Sequence, residues 1–323
     1  MKCEWCDTVK VALSWRSSLV KLVAFRQHGN TRLGIVEGDS VVVGPSHLGD
    51  VVDVIVAGQS SLDALQACLA DSDGPRLPLD GLDLVAPIRR FRRDILCTGW
   101  NYRAHFDESV GQRGDHEVER PAAPTFFTKG PDTVIGPRDA IAFDSRLSGR
   151  WDYEGEIAVI IGRDIFSPSA AEAEAAVFGY CLANDISQRD LQRRHGGQWL
   201  KGKSIDGTMP LGPFIVTADD VDLDRVTLES FVNGEKRQGA SAAQMAFPIG
   251  ELLAELAYGM SLRAGDVVLT GTPAGIGSAR TPPTFLADGD EIVVRATGLG
   301  ELRNVMRAAD LVRNSPVAAA SGH

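Results

Sequence analysis

Basic charge is what this sequence has too little of to favour nucleic acid. Its 33 Lys and Arg stand against 43 Asp and Glu, giving a formal net charge of -10. That balance excludes a broad basic footprint for nucleic acid or an anionic membrane surface. Any anionic ligand must instead meet positive charge focused at one place. No apolar run approaches the length a bilayer demands, and polar residues around Lys2 and Lys10 interrupt any leader-like stretch. Cysteine is sparse. Cys3, Cys6, Cys68, Cys97 and Cys181 are odd in number and lack framework spacing, which points to a reducing, cytoplasmic setting. Cys3 and Cys6 form a C-x-x-C with no second pair or histidine cluster to complete a zinc site. There is no Gly-x-Ser-x-Gly elbow, which argues against a serine hydrolase. The glycine-rich stretch 270–277 has neither the Gly-Lys-Ser/Thr of a phosphate loop nor the dinucleotide fingerprint. It is either a tight turn or a loop whose N–H groups approach a ligand.

What is present is an ordinary globular composition over 323 residues, 44% hydrophobic and 24% charged. That is enough for one large domain with a smaller companion. Residues 1–20 read as an extension. Strand patterns at 21–26, 31–37 and 40–43, with Gly29-Asn30 and Gly38-Asp39 as turns, give a small β-meander, followed by helical spacing over 50–69. A Pro-, Gly- and Asp-rich linker at 71–87 places a boundary near residue 90, so 21–90 is a small N-terminal unit with its linker. From 91 to 310, short strands recur at 125–129, 154–161, 180–185, 211–217, 227–232, 267–270 and 291–296, with helices at 169–178 and 249–258. The fold class is therefore α+β and β-rich, a sandwich or roll. Residues 311–323 read as a disordered tail.

The most informative stretch is Trp151-Asp152-Tyr153-Glu154-Gly155-Glu156, which leads into the apolar run 157–161. Alternation along a strand projects Asp152, Glu154 and Glu156 from one face. The residues alone leave open a solvated acidic edge or a metal cage, since buried carboxylates are paired or bind metal. Asp185 ends another strand pattern. On its own it is a turn former, but with Glu154 and Glu156 it completes an all-oxygen set suited to a hard divalent ion. Lys203, among glycines before the strand at 211–217, is placed to balance the remaining negative charge. His105 and Glu108 are three apart, on one face of a helical turn capped by Asn101.

These stretches together resemble the fumarylacetoacetate hydrolase family. The matching pieces, in family order, begin with Gly99-Trp100-Asn101-Tyr102, His105 and Glu108, followed by Asp152-Tyr153-Glu154-Gly155-Glu156. Next come Asn184-Asp185 with Ser187, Arg189-Asp190 and Gln192, then Lys201-Gly202-Lys203-Ser204 with Asp206, and Val232-Asn233-Gly234. The last are Gly271-Thr272-Pro273 with Gly275 and Gly277, and Pro282-Pro283 with Phe285-Leu286. They cover roughly 90–305. Gly130 between Lys129 and Pro131, and a long charged loop at 109–124, depart from the family pattern.

The resemblance implies a mixed β-sandwich roll with a small N-terminal β-meander/α domain, usually a homodimer. It implies Mg²⁺ or Mn²⁺, with Ca²⁺ as a further option, on Glu154, Glu156 and Asp185. Lys203, with the His105–Glu108 dyad, would be catalytic; Gln192, Thr272 and Lys129 would meet substrate. Asp152 would stand beside the metal rather than on it, and Arg189 would be an ion-pair partner. The implied substrate is a 2-oxo acid. The leading expectation is hydrolysis of a C–C bond in a 2,4-dioxo acid of acylpyruvate type, through a metal-stabilised enolate, with His105 activating water. The alternatives are a lyase or isomerase of the same chemistry (oxaloacetate decarboxylation or tautomerisation, or hydration or isomerisation of a 2-oxo-enoate) and a non-catalytic protein of the same fold. Arg113, His116 and Arg120 are candidates for a second substrate carboxylate, although a polar surface loop carries such residues by default.

Overall fold

The computed structural model describes residues 20–108 and 122–313. The C-x-x-C at Cys3 and Cys6, the loop residues Arg113, His116 and Arg120, and most of the expected tail lie outside them.

The strand patterns fold into a large twelve-stranded sheet and a five-stranded sheet, with two short two-stranded pairs beside them. The large sheet runs from Arg76–Pro78 through Ser40–Val43, Asn30–Glu37, Lys21–Gln27, Met209–Thr217, Val177–Asn184, Gly155–Ile161, Val267–Leu269 and Ile95–Thr98 to Phe126–Lys129. The N-terminal meander is the continuation of this sheet, since Lys21 and Leu22 pair with Val216 and Ile215. The five-stranded sheet follows the order Glu235–Ser241, Thr227–Val232, Glu291–Ala296, Gly300–Ala308, Ile141–Phe143.

Alternation along Gly155–Ile161 sorts its side chains between two cores. Ile157, Val159 and Ile161 pack with Leu228, Ile292, Val294 and Leu302 of the five-stranded sheet. Ala158 and Ile160 face the other way and share a core with Val54, Ile55, Leu62 and Leu65 of the N-terminal helices. Gly155 belongs to the first set, and a Cβ there would stand 2.3 Å from Ser230 Oγ. Glu156 therefore lies on the second face, away from the five-stranded sheet.

The expected single strand through 152–161 is two. Trp151–Asp152 pairs with Ser187–Gln188 in a separate ladder, and the sheet strand begins at Gly155. The expected helix over 50–69 is also two, Val51–Ala57 and Gln59–Ala70, parted at Gly58, whose φ of 72° ends the first helix. Strands Glu235–Ser241 and Gly300–Ala308 have no counterpart in the sequence expectations.

Candidate active site and metal centre

Two adjacent antiparallel strands build the acidic cluster. Gly155 pairs with Asn184 and Glu156 with Ala183, and beyond them the Asp185 N–H donates to the Glu154 carbonyl at 2.8 Å. The Asn184 side chain accepts from the Glu154 N–H at 3.0 Å. This register sets Glu154, Glu156 and Asp185 side by side, all buried, with one oxygen of each within 4.8 Å of the others. A third strand, Val267–Leu269, pairs with the acid strand and delivers the glycine-rich loop over the cluster, where the Gly271 N–H donates to Glu156 Oε2 at 2.7 Å.

Cations close the cluster. Lys203, at the end of the short helix Leu200–Lys203, donates to Glu154 Oε2 at 2.5 Å and to Asp185 Oδ2 at 2.7 Å, and its Nζ lies 5.1 Å from the Phe127 ring centroid. Arg189 donates to Asp152 Oδ2 at 2.8 Å, to Glu154 Oε1 at 2.5 Å and to Gln192 Oε1 at 3.1 Å. Lys129, expected against substrate, instead stands fully buried behind Asp185, 2.9 Å from Oδ1 and donating to the Ile186 carbonyl at 3.0 Å. Asp152 anchors the glycine-rich loop. It accepts from the N–H groups of Gly277 at 2.7 Å and Ser278 at 3.0 Å.

These surroundings divide the carboxylates. Burial works against the charge on Glu154, but Arg189 and Lys203 outweigh it and hold that carboxyl well below the usual range. Burial, then the negative charges of Asp185 and Glu154, push Glu156 well up. Lys203 also pays for burial, yet Asp185 and Glu154 keep its ammonium above the ordinary lysine value.

With all groups ionised, the buried carboxylates Asp152, Glu154, Glu156 and Asp185 (four) against Lys129, Arg189 and Lys203 (three) leave one negative charge. Among the described residues no cation pairs with Glu156. A buried, all-oxygen cluster with a carboxylate that no cation pairs among the described residues fits a hard divalent cation and no thiolate-type site. Glu154, Glu156 and Asp185 are the residues that can hold it.

His105, on the helix Arg103–Glu108, lines a cavity of about 150 Å³ together with Glu154 and Glu156. Its Nδ1 lies 2.6 Å from Glu108 Oε1, while Glu108 Oε2 accepts from the Gly275 N–H at 2.7 Å. A carboxylate on Nδ1 fixes the proton there and leaves Nε2 as the basic atom. Lys203, Gln192 and Thr272 line the same cavity.

Residues 94–307 match the model of the fumarylacetoacetate hydrolase C-terminal domain. The chain belongs to the fumarylacetoacetate hydrolase family. It is 43% identical over 227 residues to oxaloacetate tautomerase YisK of Bacillus subtilis, covering 70% of this chain and 73% of that one. It is 35% identical over 255 residues to the mitochondrial oxaloacetate tautomerase Fahd2a of Rattus norvegicus, covering 79% and 78%. Among solved structures, a fumarylacetoacetate hydrolase from Exiguobacterium antarcticum superposes with a TM-score of 0.77 at 38% identity, covering 90% of this chain and all of that one. A 2-hydroxyhepta-2,4-diene-1,7-dioate isomerase from Mycobacterium marinum gives 0.70 at 28%, covering 90% and 99%.

Two groups at this family site escaped the sequence reading. Trp100, Phe127 and Trp199 form an aromatic wall, with Trp199 centred 5.1 Å from Trp100 and 5.2 Å from Phe127. The motif match contained Trp100, but aromatic residues read first as core. Gln238 reaches in from the five-stranded sheet. Its Oε1 accepts from the Gly155 N–H at 3.0 Å, and its Nε2 donates to Thr272 Oγ1 at 2.7 Å and the Pro273 carbonyl at 2.8 Å. No local pattern in the polar run 235–241 marks it.

Proposed function

We propose that this protein is a divalent-metal-dependent enzyme, using Mg²⁺ or Mn²⁺, that interconverts the enol and keto forms of a 2-oxo acid, with oxaloacetate the first candidate. The observation that carries it is one small cavity lined by Glu154 and Glu156 of a buried three-carboxylate cluster, by its lysine Lys203, and by a carboxylate-oriented histidine. The choice of isomerisation over C–C hydrolysis follows the relatives, two of which, at 43% and 35% identity, are named oxaloacetate tautomerases. It displaces the leading expectation drawn from His105 and Glu108, because the same dyad serves proton transfer at carbon as well as at water. Hydrolysis is the second reading, favoured by the neighbour named as a hydrolase. A cytoplasmic location and a homodimer belong to the proposal, on cysteine usage and family likeness.

Held by Glu154, Glu156 and Asp185, the divalent ion would supply Lewis-acid polarisation of the 2-oxo group. The chain does the rest. His105 Nε2 carries one proton between C3 and the 2-oxygen: it takes the proton from C3 of the keto form and passes it to the enolate oxygen, or takes the hydroxyl proton of the enol and delivers it to C3, while Glu108 keeps the ring in the required tautomer. Lys203 holds positive charge at the cage wall, where negative charge grows on the 2-oxo oxygen. The wall of Trp100, Phe127 and Trp199 limits water on the far side.

The test is to mix Mg²⁺- or Mn²⁺-loaded protein with enol oxaloacetate, follow the enol absorbance, and identify products by NMR. The expected result is faster conversion to the keto form than in metal-containing buffer, with the carbon skeleton intact. Pyruvate and CO₂ as products would make it a decarboxylase. Cleavage of acetylpyruvate to acetate and pyruvate without isomerisation of oxaloacetate would restore the hydrolase reading.

A further inference from the structure

We propose that Arg193, together with Arg150, forms an anion-binding subsite at the mouth of the cavity that reads the second carboxylate of a dicarboxylic 2-oxo acid. The inference rests on the enol–keto reading above and adds to it the residues that select the substrate's distal end.

Arg189 and Arg193 stand one helical turn apart on Arg189–Arg194, so their side chains share a face. Arg189 is neutralised by Asp152 and Glu154. Among the described residues Arg193 pairs with no carboxylate. Arg150 approaches from the other side. Its carbonyl accepts from the Arg189 N–H at 3.0 Å, and its guanidinium lies 5.9 Å from the Phe285 ring centroid. Arg193 lines the main cavity with Glu154 and His105, and also lines an adjoining cleft with Arg150. The cleft thus adjoins the cavity that holds the cage, sharing Arg189, Arg193 and Ser278 with it, and carries the Arg150 guanidinium as well.

Arg189, Arg193 and Arg150 line one cleft, and only Arg189 has carboxylates against it among the described residues. Burial, then the charges of Arg189 and Arg150, hold Arg193 below the ordinary arginine range. Two guanidinium groups beside a cleft, with no acidic partner among the described residues, are an arrangement that an incoming carboxylate relieves, in the bidentate geometry arginine favours.

The experiment compares oxaloacetate with its 4-monoethyl ester, which keeps the 2-oxo acid end and removes the distal charge. Wild type, Arg193→Gln, Arg193→Lys and Arg150→Gln, each with Mn²⁺, are assayed by exchange of the C3 protons with deuterium and by quenching of tryptophan fluorescence. Wild type should prefer the diacid, and Arg193→Gln should lower the diacid-to-monoester ratio of kcat/KM about ten-fold, as expected for losing one charge-assisted bond. Arg150→Gln should lower it in the same direction, and Arg193→Lys should restore part of it. An unchanged ratio, or equal loss on both compounds, would overturn the subsite. If wild type accelerates exchange on neither compound, the enol–keto reading fails, while the fluorescence preference for the diacid still decides the arginines separately.

Discussion

Gln238 joins two parts of the site that are far apart in the chain. It belongs to the five-stranded sheet, is buried, and ties the Gly155 N–H of the acid strand to Thr272 and Pro273 of the glycine-rich loop. Gln238→Ala should cost about 1–3 kcal/mol, the range for leaving buried polar groups without partners, read as a lower urea midpoint with an unchanged slope. It should also raise KM, because Thr272 lines the cavity. Unchanged stability and KM would remove Gln238 from the account. At this scale the sequence was informative where chemistry dictates residue type, as with Glu154, Glu156, Asp185 and the dyad. It was less so where packing decides. Lys129 carries the same charge as Lys203 but lies behind Asp185, and Asp152 shares the alternation of Glu154 and Glu156 yet sits in a separate ladder, bonded to Gly277 and Ser278.

Among the elements, the acid strand depends on close approach of the second sheet at Gly155. A Cβ there would stand 2.3 Å from Ser230 Oγ and 3.1 Å from Val294 Cγ1. Gly155→Ala should therefore destabilise by about 1–3 kcal/mol through overpacking, and weaken metal binding by shifting Glu154 and Glu156. Calorimetric unfolding with and without Mn²⁺ checks both effects. A variant with wild-type stability and metal affinity would show that the strands have room to part. Strands with apolar inward positions were legible, whereas Gly300–Ala308 was not. It alternates correctly through Leu302, Asn304 and Met306, but Asn304 stands at an inward position, where it donates to the Gly136 and Asp139 carbonyls. Glu235–Ser241 has no apolar residue larger than Ala240, and its one buried residue is Gln238.

Over the whole molecule, distant segments are pinned by buried charge. Asp144, beside the strand Ile141–Phe143, accepts from the Arg146 guanidinium, from the Arg146 N–H at 3.0 Å and from the Leu311 N–H at 3.0 Å, tying the end of the described chain to the body. The Arg146 guanidinium, then those backbone donors acting against burial, lower its pKa to about 2. A carboxyl depressed on folding stabilises above its unfolded value and loses that contribution as pH falls through the folded one. The contribution should thus be complete above about pH 4 and gone below about pH 2. Asp144→Asn should lower stability at neutral pH and flatten its dependence in that window, measured by urea unfolding at each pH. Identical pH dependence in both proteins would contradict this.

The central claim is a division of labour: Glu154, Glu156 and Asp185 hold the metal, and His105 moves the proton without touching it. Equilibrium binding of Mn²⁺ to wild type, Asp185→Asn and His105→Ala tests it most directly. The account predicts one site in wild type, its loss in Asp185→Asn, and near wild-type affinity in His105→Ala, whose turnover should fall by about 10²–10⁴-fold. Retained binding in Asp185→Asn, or binding abolished in a folded His105→Ala, would contradict it.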